Sequence, residues 1–160
     1  MLPFRDSGAF SALPVRPLLQ AERELLACFA EAVDLDRVRI FTRHSRLGRV
    51  VARMSGGAAV ALGYRIIVPG SNSLPLLAHE LTHVSQYQRW GRWRYYLCGA
   101  WTQVVQRLLL RHDVYHWRTE AGKTFDQFGM EQQGKIVEDC FNVASPRRTE
   151  ARHLSPFRPK

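Results

Sequence analysis

The segment LLAHELTHV (residues 76–84) contains the feature that most limits what this chain can be, an HExxH motif inside an apolar helical pattern. Residues four apart lie on one face of a helix, so His79 and His83 can bind the same metal ion. Glu80 lies one residue round from His79, beside the coordination position that a water would take. This arrangement is typical of zinc hydrolases, and it predicts Zn²⁺ as the cofactor and Glu80 as the catalytic base.

Signals at both ends of the motif predict a helix from about Leu74 to Trp90. Ser73 can cap its N-terminus, Pro75 fits its first turn, and Gly91 suits its end. Ser85 stands where this kind of metal-binding helix commonly has a hydrophobic residue, a difference expected to alter packing and not metal binding. The competing interpretation is a buried helix with two structural histidines and an incidental glutamate.

A catalytic zinc site needs a third protein ligand, which must come from further along the chain. Glu131 is the preferred candidate, because it begins a segment, EQQGKIVED (131–139), that reads as a second helix. Gly134 follows one turn later, where a small residue lets two helices approach closely. Glu138, on the same helix, is the second choice. The other candidates that the sequence leaves open are His112, His116, Glu120, Asp126 and Asp139.

A second histidine pair, His112 and His116, has the same spacing as the first. It could bind metal, but no acidic helix pairs with it as naturally. Tyr115 and His116 are instead candidates to stabilise the oxyanion of a tetrahedral intermediate. The alternative is that these side chains end a helix and face solvent, where the helix dipole favours a charged histidine.

The composition indicates one globular domain, since 46% of the 160 residues are hydrophobic. A net charge of +9 would suit an anionic partner such as nucleic acid, lipid head groups or an acidic protein. The basic residues are spread along the chain without an aromatic-basic RNA-binding pattern, so no specific nucleic acid is expected. Cys28, Cys98 and Cys140 form no CxxC pair, which argues against a zinc ribbon and fits folding in a reducing cytosol.

Three regions are expected along the chain. Residues 1–16 read as an irregular N-terminal arm, residues 17–144 as the domain itself, and the Pro- and Arg-rich residues 145–160 as a basic, flexible tail. The first 17 residues lack the basic start and apolar run of a signal peptide. No stretch of 18 apolar residues is present, so no transmembrane segment is expected.

The expected fold class is α+β, mostly helical, with a short mixed sheet beside the HExxH helix. The strand at Ile66, Ile67 and Val68 lies just before that helix, and it or a neighbouring strand is expected to hold an extended substrate by strand addition. Periodicity predicts helices over residues 18–33 and 46–54, strands over 37–42, 58–62 and 64–68, and a loop over 112–127.

The clearest amphipathic pattern in the chain runs from Trp93 to Leu110. Its apolar residues follow the spacing of one helix face, and the opposite face carries side chains such as Arg94 and Gln103. A packed core helix that brings the two ligand segments together is the preferred interpretation. The alternative is a helix that lies on a membrane surface.

Three segments together resemble a bacterial group of small zincin-like metallopeptidase domains: HELTHVSQYQ (79–88), RWRYYLCGA (92–100) and FGMEQQGKIVEDCF (128–141). The group is similar to the core metallopeptidase domain of extracellular contractile injection systems, and to metallopeptidase domains of type VI secretion spike proteins and Rhs-type toxins. The resemblance covers roughly residues 58–142. It implies a gluzincin-type zinc site in which His79, His83 and Glu131 are the ligands and Glu80 is the base.

The function that this resemblance implies is zinc-dependent hydrolysis of a protein or peptide substrate by a secreted bacterial effector or toxin. Such a protein would be made in the bacterial cytoplasm without a signal peptide and exported by a specialised secretion system. Its expected partners are a component of the secretion apparatus or an immunity protein. The alternative is a catalytically inert zincin-fold module that binds or assembles within such a system, although a purely structural site has no use for Glu80.

Overall fold

Helices and one short sheet make up the α+β fold of the computed structural model, which describes residues 13–70 and 73–159 with the side chains of residues 106–108 left aside. The strands are β1 (Val15–Arg16), β2 (Arg39–Thr42), β3 (Val60–Leu62) and β4 (Arg65–Val68). The α-helices are α1 (Gln20–Leu25), α2 (Arg46–Ser55), α3 (Leu74–Trp90), α4 (Arg92–Ala100), α5 (Met130–Phe141) and α6 (Arg148–Leu154). Short 3₁₀ turns occur at Ala27–Phe29 and Phe125–Gln127, and a π-helix at Trp101–Leu109 continues α4.

The sheet is mixed, with the strand order β1-β2-β4-β3. Strands β2 and β4 are parallel, whereas the pairs β1–β2 and β3–β4 are antiparallel. Gly63 has a positive φ of 64° in the tight turn between β3 and β4, a conformation that glycine adopts without strain. In the described part of the chain, β3 and β1 are therefore the edge strands and β4 lies inside the sheet.

Of the two options predicted for the substrate, β4 itself or a neighbouring strand, the position of β4 argues against Ile66, Ile67 and Val68. These residues pair with β2 on one side, and Ile66 and Ile67 also pair with β3 on the other. All three side chains are buried. A strand that is paired on both sides has no free edge for an added peptide. The neighbouring strand that does lie at an edge, next to α3, is β3.

The core lies where α3 and α5 pack against each other and against the sheet. Helix α3 contributes Leu77, Leu81 and Val84, and all three are fully buried. Because polar and apolar residues of α3 are buried alike, this helix runs through the interior and not along the surface. The HExxH motif therefore lies on the buried part of this helix, from Leu77 to Val84.

The predicted helix over residues 18–33 is interrupted. Helix α1 ends at Leu25, and a 3₁₀ turn follows at Ala27–Phe29. Leu18, Leu26, Phe29 and Val33 are nevertheless buried, although Leu25 is exposed. The ring of Phe29 stacks on Phe157 with a centroid distance of 4.1 Å. Contacts with the core therefore fix these side chains, and a continuous helix is not needed to bury them.

Residues 145–160, predicted as a basic, flexible tail, contain a helix and buried side chains in the structure. Helix α6 packs against α5, and Ala151 within it is fully buried. The Ser155 hydroxyl donates to the Phe157 carbonyl, and the Phe157 amide donates back to the Ser155 hydroxyl oxygen. The segment is rich in Pro and Arg, but its apolar residues Ala151 and Phe157 are buried in the core. At the other end, residues 1–12 of the predicted arm lie outside the described part of the chain, and Val15–Arg16 form β1.

The segment from Arg92 to Leu109 is helical as predicted, but it is not a packed core helix. Its α-helical part ends at Ala100 and the rest is a π-helix. Most of its large apolar side chains are exposed, and Tyr95 is the buried exception in α4. Helices α3 and α5 meet each other directly, so this segment is not required to bring them together. No helix in the described part of the chain is long and apolar enough to span a membrane.

Candidate metal centre

Helix α3 begins and ends as the sequence predicts. The Ser73 hydroxyl accepts a hydrogen bond from the Leu76 amide at 3.4 Å, Pro75 lies in the first turn, and Gly91 follows the last residue with a positive φ of 78°. His79 and His83 lie one turn apart, and both are buried. The helix is thus capped at the ends, and its middle holds the two imidazoles rigidly in the interior.

Three potential ligand atoms converge between α3 and α5. The Nε2 atoms of His79 and His83 lie 3.2 Å apart, and Glu131 Oε2 lies 3.6 Å from the first and 3.3 Å from the second. Neighbouring ligand atoms of a tetrahedral zinc site lie about 3.3 Å apart when the metal–ligand bonds are about 2.05 Å long. The spacing and the chemistry of these donors therefore fit a zinc ion bound by two histidines and one carboxylate.

Gly134 explains how α5 comes so close to His79. A Cβ atom at this position would lie 2.7 Å from His79 Nε2, 2.9 Å from Cε1 and 3.0 Å from Cδ2. Any other residue would therefore displace the imidazole or separate the helices. The close approach that the sequence predicts from a small residue one turn after Glu131 is present.

Both imidazole rings are held at Nδ1, on the side away from the cluster. His79 Nδ1 lies 3.0 Å from Glu138 Oε2, and His83 Nδ1 lies 2.8 Å from Gln86 Oε1. If each Nδ1 donates to its oxygen, each Nε2 keeps its lone pair directed at the cluster. Such partners commonly fix the ring orientation of metal-binding histidines. Glu138, the second choice as a ligand, therefore contacts the candidate ligand His79 on the side away from the cluster.

A pair of glutamines and a glutamine–glutamate contact extend this support. The amide of Gln86 donates to Gln133 Oε1 at 2.8 Å and to the Met130 carbonyl at 3.1 Å. On the other side, the amide of Gln103 donates to Glu131 Oε1 at 2.7 Å. The contact engages one carboxylate oxygen of Glu131 and leaves Oε2 directed at the histidines. The π-helix that carries Gln103 is thereby connected directly to a candidate metal ligand.

The electrostatics of the cluster favour a cation. Burial opposes a charged His79, but hydrogen bonds with Glu131 and Glu138 outweigh it and raise the pKa of His79 to about 10. Burial likewise opposes ionisation of Glu131, but its hydrogen bonds with His79 and His83 hold the pKa of this carboxyl well below its usual range. Two nearby carboxylates thus stabilise positive charge at the point where the ligand atoms converge.

Glu80 is the unpaired acid of the site. It is buried, and its Oε2 atom has no hydrogen-bond partner within the described residues. Burial raises the pKa of Glu80, whereas the neighbouring histidines lower it. A buried carboxylate oxygen without a partner is costly, and such groups persist mainly where a ligand, a water or a reaction uses them. The geometry therefore leaves Glu80 available for a water beside the metal ligands.

Two tyrosines border the cluster. The ring centroid of Tyr115 lies 6.3 Å from that of His79, and Gln103 donates to the Tyr115 hydroxyl at 3.5 Å. The Tyr95 hydroxyl donates to the Ala61 carbonyl on β3 at 2.8 Å. Burial raises the pKa of Tyr95, and the charges of Glu80 and Glu131 raise it further. Tyr95 therefore lies between the edge strand and the acids of the site.

The remaining sequence candidates lie elsewhere. His116 is exposed and accepts a hydrogen bond from Arg118, so the structure does not bring it to the site as an oxyanion stabiliser. His112 is exposed as well. Glu120 pairs with Lys123, and Asp126 pairs with Arg89. Asp139 accepts hydrogen bonds from Trp117 and Ser145 at 3.0 Å each, which gives it a structural role.

Sequence reasoning missed Gln86, Gln103, Gln133 and Tyr95. Gln86 and Gln133 could have been found, because each lies on a helix face that otherwise turns apolar residues to the core. Gln103 could not have been found, because the apolar side of its segment was predicted to face the core, and Gln103 lies on the opposite side. The predicted apolar stripe included Tyr96 and left out its neighbour Tyr95. In the structure Tyr95 is buried and Tyr96 is exposed.

Comparison with known proteins finds a similarity to part of a secretion protein. Over 66 residues, 41% of its length, the chain is 46% identical to the type VI secretion system spike protein VgrG2b of Pseudomonas aeruginosa. The match spans only 6% of the length of that spike protein. No protein-family model matches the chain. No solved structure matches it.

Proposed function

We propose that this protein is a zinc-dependent metallopeptidase that acts as an exported bacterial effector. The observation that carries the proposal is the convergence of His79 Nε2, His83 Nε2 and Glu131 Oε2 beside the unpaired carboxylate of Glu80. Two histidines and one carboxylate are the ligand set of peptidases whose fourth metal position stays open. The similarity to a type VI secretion spike protein supports association with a secretion system and export by that route.

Zinc bound by the three ligands would supply Lewis acidity, which lowers the pKa of water toward neutrality and polarises the scissile carbonyl. Glu80 takes a proton from the attacking water at its free Oε2 atom and passes it to the nitrogen of the leaving amine. The bond that forms joins the water oxygen to the carbonyl carbon, and the bond that breaks is the peptide C–N bond. The Tyr115 hydroxyl, at the border of the cluster, is the candidate donor to the oxyanion.

The substrate backbone is proposed to lie along β3. This strand is an edge of the sheet in the described residues, and it contacts the HExxH helix. An extended peptide can add to such an edge by main-chain hydrogen bonds. The Ala61 carbonyl already accepts from Tyr95, so a peptide that pairs with Ala61 must displace that hydroxyl.

The first test is the zinc content of the purified wild type beside two variants, measured by plasma mass spectrometry. The wild type and Glu80→Gln should each hold about one zinc per chain, and Glu131→Ala should lose it. The same proteins are then incubated with a peptide library that is read by mass spectrometry. Glu80→Gln should lower the cleavage rate by at least about 100-fold, because the metal remains and the base is gone.

The outcomes separate the parts of this proposal. A wild type without zinc after reconstitution rejects the metal centre. Zinc in the wild type together with full activity in Glu80→Gln rejects the base. Zinc in both, with no cleavage of any peptide, supports the second candidate function.

The second candidate is a catalytically inert binding or assembly module of a secretion system. The similarity to a spike protein favours it, because a spike is a structural part of its apparatus. The free carboxylate of Glu80 opposes it, because a structural zinc site is usually closed by a fourth protein ligand. Zinc content without turnover, together with binding to a spike component, would establish this function.

A further inference from the structure

An exposed apolar surface runs along the side of α4 and the π-helix that faces away from the core. We call it the outer face, and it consists of Trp93, Leu97, Trp101, Val104, Leu109 and Leu110. Trp93 is 73% exposed, Leu97 68% and Leu109 71%. Single exposed apolar residues are common on proteins, but a contiguous stripe with two tryptophans is typical of a surface that binds something.

Arginines border the outer face near its N-terminal end. Residues 91–112 contain four arginines and no aspartate or glutamate. The guanidinium of Arg92 lies 5.3 Å from the ring centre of Trp93, and that of Arg94 lies 5.6 Å from the ring centre of Trp90. The outer face is therefore apolar along its middle, and Arg92 and Arg94 lie beside it. The rings of Trp93 and Trp90 contact these two arginines.

The geometry points to an anionic lipid bilayer as the partner of the outer face, with α4 and the π-helix lying in the plane of the head groups. Tryptophan and leucine side chains enter the boundary between head groups and acyl chains, and arginines remain at the level of the lipid phosphates. No helix in the described residues can span a membrane, so the contact is peripheral. This inference does not depend on the proposed peptidase activity.

Charge complementarity selects this partner over a second copy of the chain. Two outer faces placed against each other would bring Arg92 and Arg94 of one copy toward those of the other, and residues 91–112 contain no acid to pair with them. Like charges in apposition oppose association. An anionic bilayer satisfies the arginines and the apolar stripe at the same time, and its negative surface potential also attracts the remainder of a chain of net charge +9.

The test is co-sedimentation of the full chain with vesicles of phosphatidylcholine, with or without roughly one third phosphatidylglycerol. The wild type should bind the anionic vesicles and bind the neutral ones much more weakly. Leu97→Asp should lower the partition coefficient on anionic vesicles by at least about tenfold, because it places a charge in the apolar stripe. Met54→Asp on α2 is the matched control, since Met54 is 84% exposed and the change in net charge is the same.

A second variant separates apolar contact from charge. Trp101→Ser leaves the net charge unchanged and should also weaken binding to anionic vesicles. Brominated lipid should quench the tryptophan fluorescence of the wild type, and a variant with Trp93→Phe and Trp101→Phe should lose most of this quenching. Circular dichroism and thermal melting identify any variant that is unfolded.

Three results would overturn the inference. The first is the absence of binding to anionic vesicles by the folded wild type. The second is equal binding by Leu97→Asp and Met54→Asp, which would mean that net charge alone attracts the protein. The third is a dimer in light scattering that Leu97→Asp converts to a monomer, which would make a second copy the occupant of the outer face.

Discussion

Because Gly134 has no side chain, α5 can approach His79 on α3 closely. Gly134→Ala should lower both zinc affinity and stability, because the added Cβ would lie 2.7 Å from His79 Nε2. We expect a loss of about 1–3 kcal/mol in the free energy of unfolding, the usual cost of overpacking a core. Urea denaturation of the metal-free protein measures the stability, and competition with a chelator measures the zinc affinity.

Gly99→Ala is the matched control for this change. Its added Cβ would meet only the flexible end of Met130, at 3.9 Å, and it lies within α4. Alanine is the better helix former, so this variant should be neutral or more stable by up to about 1 kcal/mol. Equal losses in Gly99→Ala and Gly134→Ala would show that contact with His79 is not the cause.

Glu138 should affect zinc affinity without being a ligand. Its Oε2 atom lies 3.0 Å from His79 Nδ1. Glu138→Ala should weaken zinc binding by about 10–100-fold, the usual effect of removing the partner of a metal-bound histidine. Glu138→Gln should restore part of the affinity, because an amide oxygen can still accept the hydrogen bond.

Isothermal titration with zinc measures the affinity of both variants. Glu120→Ala serves as a control, because Glu120 is exposed and its partner is Lys123. Complete loss of zinc in Glu138→Ala, with no recovery in Glu138→Gln, would instead identify Glu138 as a ligand.

The elements differ in how much of their structure local sequence determines. Helix α3 was predicted with its observed bounds, because Ser73, Pro75 and Gly91 act on the chain locally. The strands β2, β3 and β4 were also placed within a residue or two. The order of strands could not be predicted, since pairing between β2 and β4 depends on contacts across the intervening α2 and β3. For this reason the sequence could not show which of β4 and its neighbours has a free edge for a substrate.

Periodicity identified the helical segment after Gly91 but not its environment. An apolar stripe indicates that a helix has one face to bury, and it does not say whether the protein itself covers that face. In the structure the smaller, polar side of the segment faces inward, through Tyr95, Thr102 and Gln103, and the larger apolar side faces outward. The error therefore lay in the assumption that the most apolar face of a helix meets the core.

Helix α6 and the residues after it should contribute to stability. Phe157→Ala should lower the free energy of unfolding by about 3 kcal/mol, because the ring is buried and stacks on Phe29 at 4.1 Å. His153→Ala, on the exposed side of α6, is the control and should be nearly neutral. Urea denaturation measures both. A neutral Phe157→Ala would mean that this segment does not hold the fold in solution.

At the scale of the whole molecule, pH should act on the metal-free protein through the cluster. The pKa of His79 is raised from its ordinary 6.5 to about 10, so the stability that charged His79 contributes is complete below 6.5 and is lost as the pH rises toward about 10. The pKa values of Glu131 and Glu138 are lowered from 4.5, so their contribution is present above 4.5 and is lost as the pH falls below it.

His79, Glu131 and Glu138 should therefore together stabilise the metal-free protein most between pH 4.5 and 6.5. Melting temperatures of chelator-treated protein across this range test the prediction, with His79→Gln as the control that should flatten the alkaline side. Zinc should reverse the alkaline trend, because the metal competes with protons for the same nitrogen atoms. Zinc-loaded protein that loses stability from pH 6.5 to 8 would contradict this account.

The candidate site was largely predictable and its surroundings were not. The HExxH spacing and the Glu131–Gly134 pair identify the candidate ligand residues, because helix geometry fixes what lies on each face. The partners of those atoms come from positions that only the packed structure brings together, as with Gln103 and Glu131. Chemistry that lies within one helix is thus visible in sequence, whereas support that crosses between distant elements is not.

The hydrogen bond from Gln103 to Glu131 can couple metal binding to binding at the outer face. One segment presents apolar side chains to the outside and an amide to a carboxylate of the candidate metal centre. A partner that breaks or strengthens this hydrogen bond on binding would change the free energy of metal binding. Linkage then requires the metal to change the affinity for that partner by the same factor. In that case, removal of zinc from the interior would alter the affinity of the outer face for its partner.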